Sequence, residues 1–241
     1  MPRFTQRPGI PLRFCHGYTH LLGQDPVREN RTGDHAGEAL RRIAEAYPEA
    51  RVELRFHNPL ELLVATILSA QCTDKRVNQI TKTLFLNYPD VTAYATANLE
   101  ELEEAVRPSG FFRQKAKNIK ACCVDIVERH NGVVPSGMEE LTSLAGVGRK
   151  TASVLLAVAF DTPAIAVDTH CRRVSQRLGL TIENNPEKVE HDLQELYSKE
   201  LWADITRLFI WHGRYTCKSR TPLCQECVLP DMCPWYLDMI A

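Results

Sequence analysis

An all-α protein is what this sequence predicts, and three observations carry the prediction. Apolar residues recur at helical spacing, capping residues stand at the ends of those runs, and sustained apolar–polar alternation is absent. A chain of 241 residues is long enough for one large or two modest domains with real cores. Its 44% hydrophobic content and mixed charge suit a soluble globular protein, and no apolar run approaches membrane-spanning length.

Residues 1–30 differ from the rest. Arg3, Arg7 and Arg13 occur with no acid before Asp25, and Pro2, Pro8 and Pro11 interrupt any helix. A disordered basic extension is expected there. An organellar transit peptide is the weaker reading, because no amphipathic period is visible. The first helical face follows, with Leu40, Ile43, Ala44 and Tyr47. Pro59–Gln71 is apolar almost all round, which predicts a helix at the centre of a bundle. Val77, Ile80 and Leu84 form the next face, then Leu99, Leu102 and Val106, with Asn98 before that run and Gly110 after it. Asn131-Gly132 closes a helix, and Asn185-Pro186 opens one carrying Val189, Leu193 and Leu196.

Net charge is only −1, so a globally basic nucleic-acid binder is not indicated. Cations are nevertheless clustered at Arg113–Lys120, Arg149–Lys150 and Arg172–Arg177, and such clusters bind phosphate locally even when the total cancels. Taken singly, each would be read as a solvated helix face.

Chemistry gathers in LAGVGRKTASVLLAVAF, residues 144–160. A short helix, Met138–Leu144, leads into Gly146-Val147-Gly148, and a second helix begins near Arg149. Two glycines around one apolar residue make a tight turn. At a helix N-terminus its exposed amides form a seat for phosphate. This is similar to the helix-hairpin-helix motif, which grips the DNA backbone without reading sequence. Lys150 lies in the first turn of the second helix. The helix dipole and Arg149 disfavour a further positive charge there, which favours the free amine that a Schiff-base-forming nucleophile needs. Standing alone, Lys150 would be read as a phosphate contact. Asp168, in AIAVDTH, ends an apolar extended piece and precedes a helix over Cys171–Leu178. It is expected to cap that helix and still keep one oxygen for chemistry.

Nine cysteines, an odd count, include four crowded near the C-terminus: Cys217, Cys224, Cys227 and Cys233, spaced C-x6-C-x2-C-x5-C. The clustering argues for a metal centre in a reducing compartment rather than a secreted disulfide scaffold. Four thiolates hold zinc or an iron–sulfur cluster, and with a single CxxC pair the uneven spacing favours [4Fe–4S]. Cys15, Cys122, Cys123 and Cys171 read as packing or incidental thiols. Cys72, beside Gln71, is a residue that can touch DNA.

Together LAGVGRKTA, AVDTH with its aspartate eighteen residues beyond the lysine, and the four-cysteine ending resemble the endonuclease III family. NPLELLVATILSAQCTD (58–74) and SGFFRQKAKNI (109–119) are similar to other signature stretches of that family, so the resemblance runs from Gly37 to Trp235. It implies a bifunctional DNA glycosylase/AP lyase of base excision repair that removes oxidised pyrimidines from double-stranded DNA and cleaves abasic sites. Lys150 is then the nucleophile, Asp168 the catalytic carboxylate, and Cys217, Cys224, Cys227 and Cys233 the [4Fe–4S] ligands. Gln71 and Phe111 enter the duplex, and Gly146, Val147, Gly148 and Arg149 hold its backbone. The implied protein is a cytoplasmic monomer of the bacterial nucleoid, away from membranes. Its fold is two helical domains beside a DNA cleft: a six-helix domain over 52–162, and a cluster domain joining 31–51 to 163–241. Ala145 replaces the usual proline before GVG, which frees the turn slightly. Phe111 replaces a smaller aliphatic wedge, which bears on lesion preference.

Two other readings compete. A monofunctional A/G-mismatch adenine glycosylase lacks the hairpin lysine and carries a glutamate where Thr66 stands. The chain also ends eight residues after Cys233, where such enzymes continue into a mismatch-reading domain. A non-catalytic iron–sulfur DNA-binding protein would use hairpin and cluster without forming a covalent complex.

Overall fold

The computed structural model describes residues 33–241, so the extension expected over residues 1–30, with Cys15, lies outside the described residues. The described residues contain twelve α-helices and three short 3-10 turns, with no strand among them. They divide into two compact units. One is Val52–Thr162, and the other joins the residues leading up to Arg51 to Pro163–Ala241.

In the second unit, α1 (Gly33–Ala46) buries Ala36, Ala39, Leu40 and Ile43. Of the face read from the sequence, Leu40 and Ile43 are fully buried, while Ala44 and Tyr47 pack half-buried against the same core. The first unit then begins with α2 (Pro59–Leu68), where Asn58 caps the helix through Glu61 N and Pro59 occupies the first turn. Every residue from Leu62 to Leu68 is buried, as expected of a central helix. The helix stops three residues before Gln71, whose φ of 53° is left-handed and cannot continue an α-helix. Next come α3 (Asp74–Asn87), α4 (Val91–Ala95), α5 (Leu99–Val106), α6 (Phe112–Arg129), α7 (Met138–Ser143) and α8 (Arg149–Ala159). This unit therefore has seven α-helices rather than six. The extra one is the five-residue α4, nucleated by the Asp90 side chain accepting from Ala93 N. The long helix α6 packs against α4 and α5, while α8 packs on α2 and α7. Leu62, Leu63, Leu84, Leu102, Ile119, Ile126 and Leu141 fill the interior.

The second unit resumes with α9 (Thr169–Arg177), α10 (Pro186–Leu196), α11 (Trp202–Tyr215) and α12 (Pro234–Ile240). Helix α9 starts at Thr169 rather than Cys171, because Asp168 caps it directly. Asn185 caps α10 through Glu187 N and Lys188 N. One apolar core joins α1 to Val174, Val189, Leu193, Ile205, Leu208 and Phe209. Cys171 is part of it, and Cys122 and Cys123 are buried in the first unit, so all three serve as packing groups.

Candidate active site and metal centre

The hairpin is built by its own apolar residues. Leu141 of α7, Leu144 and Val147 of the turn, and Ala152, Leu155 and Leu156 of α8 are all buried. They hold the two helices around a turn closed by a hydrogen bond from Val147 N to Leu144 O, 3.1 Å. Gly146 has φ +76°, and a Cβ there would sit 2.7 Å from Asn118 on α6. Left-handed backbone and close approach both require glycine at this point. Gly148 precedes α8 with no side-chain cap, so the first-turn N–H groups of α8 remain available to an anion. Gly146, Gly148, Arg149 and Lys150 are exposed around this amide cup.

Two further sequence-derived residues share an unusual backbone. Gln71 (φ 53°) and Phe111 (φ 49°) are both left-handed although neither is glycine. Each such residue costs about 1–2 kcal/mol, a strain that concentrates at working positions. Phe111 is 70% exposed, and Gln71 is exposed too. Thr66, by contrast, is buried and spends its hydroxyl on Leu62 O, 2.7 Å.

Asp168 belongs to the second unit and caps α9. His170 N and Cys171 N donate to its Oδ1 at 2.8 and 2.7 Å. Both bonds end on one oxygen, which fixes the carboxylate plane and leaves Oδ2 outside the cap.

The four C-terminal cysteines line a single cavity of about 390 Å³, open mouth included, with Leu178, Leu229 and Trp235 among its walls. Among the described residues no three of these sulfurs lie within 4.8 Å of one another. Burial pushes the Cys227 thiol up to about 11 and raises Cys224 and Cys233 as well. Four gathered thiolates are thus unfavourable until a cationic centre compensates them. The donor set and the recess fit an iron–sulfur group.

Three residues that the sequence offered only as members of the phosphate-binding clusters Arg113–Lys120 and Arg172–Arg177 are instead held by the protein's own groups, and His212 was not singled out at all. Arg177 donates to Cys217 Sγ (3.3 Å), Lys218 O (2.8 Å) and Ser219 O (3.0 Å), while its guanidinium stacks 4.1 Å from the Trp235 ring centre. Arg173 donates to Cys217 O and Gly213 O. His212 is buried, which lowers it to about 4, so a neutral imidazole lies 3.7 Å from Cys227 Sγ. Lys115 is only 5% exposed within α6. Its signal was available: it shares the α6 face with Ile119, Cys122 and Ile126, where an apolar residue belongs.

Residues 64–199 match the HhH-GPD family, described as "HhH-GPD superfamily base excision DNA repair protein". Endonuclease III of Synechocystis sp. is 50% identical over 200 residues, 83% of this chain and 91% of the relative. Endonuclease III of Bacillus subtilis is 46% identical over 80% of this chain and 89% of its own length. The solved structure of a trapped endonuclease III–DNA covalent intermediate superposes with a TM-score of 0.84 at 43% identity, covering 87% of this chain and 99% of that one. A thermostable thymine-DNA glycosylase superposes at 0.78 with 20% identity, which speaks to the fold alone.

Proposed function

We infer that this chain is a base excision repair DNA glycosylase with AP lyase activity, because it belongs to the endonuclease III family. The observation that carries the mechanism is an exposed lysine in the first turn of an uncapped helix beside a glycine turn. Duplex DNA is the partner, and oxidised pyrimidines and abasic sites are the proposed substrates.

The exposed backbone amides of the glycine turn and of the first turn of α8 take a DNA phosphate, held by partial charge and hydrogen bonds without sequence preference, while the Val147 amide closes the turn on Leu144 O. The damaged nucleotide leaves the stack at a cost of a few kcal/mol, less where pairing is already weak. Gln71 and Phe111 fill the space it vacates. Their strained backbones present the side chains at loop tips, where they reach the stack. The Lys150 amine attacks the sugar C1′, the C1′–N bond breaks, and its electron pair leaves with the base, which is protonated. The Asp168 carboxylate, oriented through Oδ1, offers Oδ2 to accept the amine proton or to stabilise positive charge on the sugar. The C1′–O4′ bond then opens, O4′ keeping the electron pair and taking a proton, and the resulting iminium joining Lys150 to C1′ acidifies C2′. Loss of a C2′ proton then expels the 3′ oxygen by β-elimination, which cuts the strand 3′ to the lesion.

Cys217, Cys224, Cys227 and Cys233 would hold a [4Fe–4S] cluster, which supplies structural cross-linking of the loop rather than a step of the reaction. Around it, Arg177 and Arg173 tie loop carbonyls to α9, fixing the segment from Cys217 to Ser219.

Borohydride reduction tests the assignment, because it traps the iminium. Wild-type protein is expected to form a covalent complex with abasic-site DNA, and Lys150→Ala is expected to form none. A wild type that never traps, or a variant that traps normally, overturns the reading. Excision across a panel of oxidised pyrimidines, with an A/G mismatch as control, tests the substrate class.

A further inference from the structure

We propose that Lys115 is a positioning residue for base extrusion: its buried ammonium ties together the two loops that carry Gln71 and Phe111. The inference rests on the reading of those two side chains as the groups that enter the duplex.

Lys115 Nζ donates to Leu68 O at 2.8 Å and to Ser109 O at 2.8 Å. Leu68 is the last residue of α2, so its carbonyl is one that the helix itself leaves without a partner. The carbonyls just before it are taken by local groups: Ala65 O and Thr66 O by Ser69 N, and Ile67 O by Ala70 N. Leu68 O turns instead to a cation 47 residues away. Gln71 stands three residues past this anchor, and Phe111 two residues past Ser109. The backbone turns left-handed at each tip: at Gln71 in the first loop, and through Gly110 (φ 69°) and Phe111 directly after Ser109 in the second.

A charged group is costly in this interior. Burial lowers the ammonium affinity of Lys115 for its proton, and Ser109 beside it is also buried. An apolar residue at this point of the α6 face would avoid that cost but would leave two buried carbonyls unpaired. The cation therefore does something packing cannot: one rigid centre sets the separation of two strained loop roots from inside the unit. Neither loop has an apolar residue of its own buried between anchor and tip, so the Lys115 centre bears directly on the separation of the two tips, beside the Arg76 guanidinium that donates to Pro108 O. Filling an emptied stack from two sides requires that separation to be held, and misplacement by about an ångström can cost on the order of a hundredfold in rate.

The test compares single-turnover excision of one oxidised pyrimidine in two settings, fully paired and facing a one-nucleotide gap. The gapped lesion is already weakly held, so its extrusion needs less help. Lys115→Met keeps the chain length and removes the donors. It is expected to lower the paired-to-gapped rate ratio at least about fivefold. A merely structural lysine would lower the melting temperature and leave the ratio where wild type has it, and that result overturns the proposal. If Lys115→Met does not fold, Lys115→Gln, which keeps N–H donors, takes its place. Its ratio is expected below wild type, and an unchanged ratio overturns the proposal equally. Gln71→Ala and Phe111→Ala separate the two claims. If both leave the ratio unchanged, the reading of those side chains fails and the inference with it. If they lower it and the Lys115 variants do not, only the clamp fails.

Discussion

The hairpin (residues 137–159) and the cysteine loop (217–233) are both compact turns beside helices, yet they are held in opposite ways. The hairpin buries seven of its own apolar side chains and needs no outside group. In the cysteine loop only Leu229 is buried among the apolar residues, and the four cysteines are half-buried. Its shape depends on guanidinium bonds from Arg173 and Arg177 to its backbone, on Arg42 reaching Asp231 (2.8 Å), and on thiols gathered for a cation. Packing organises the region proposed to do the chemistry, while coordination organises the region proposed to brace it. Activity and stability should therefore separate by mutation.

The sharpest separation is Lys150→Ala. Strand cleavage at abasic sites should fall at least about a thousandfold, with the melting temperature within about 2 °C of wild type, because the side chain is exposed. Parallel assays of cleavage and thermal melting check this, and a variant that both melts early and fails to cleave breaks the contrast.

The reverse case is Cys227→Ser, or oxidative removal of iron. Absorbance near roughly 400 nm should vanish. Hydrogen exchange should then show residues 217–233 unprotected, while amides of α6 keep their protection. Loss of several kcal/mol confined to the second unit is expected, and simultaneous loss in both units contradicts the division.

Gly146→Ala probes the hairpin's one backbone requirement. A Cβ at positive φ, 2.7 Å from Asn118, should cost about 1–3 kcal/mol, and DNA affinity should drop with it. Arg177→Met removes the carbonyl bonds of the cysteine loop and should cost about 1–2 kcal/mol of stability. Cluster loss should also be faster, read as bleaching in a mild oxidant. The smallest effect is Asn58→Ala, which uncaps α2 and should cost about 1 kcal/mol by denaturant melting, with no change in the absorbance of the cluster.

Much of this was legible along the chain because the signals were local. Asn98, Asp168 and Asn185 each cap the helix that follows, as read, since a short polar side chain satisfies amides two or three residues ahead. Asn58 and Asp90 cap in the same way, but the helix Asp90 starts is only five residues long and carries no periodic signal. The glycine turn before Arg149 was visible for the same reason. The end of α2 was not, because an apolar run continues toward Gln71 while the helix stops at Leu68. Helical spacing reports which face is buried; it does not report where a loop root is claimed by a residue on another helix.

Residue order alone therefore specified the all-helical class, the hairpin and the set of thiols, since each is written in neighbours a few positions apart. Tertiary structure was needed to show that Lys115 is a buried tie between residues 68 and 109 and that Arg177 serves the cysteine loop. It was also needed to show that the four cysteines line one recess. The physical reason is range. Capping and periodicity act within a turn or two of helix, whereas the worth of a buried charge depends on which distant carbonyls the fold brings to it.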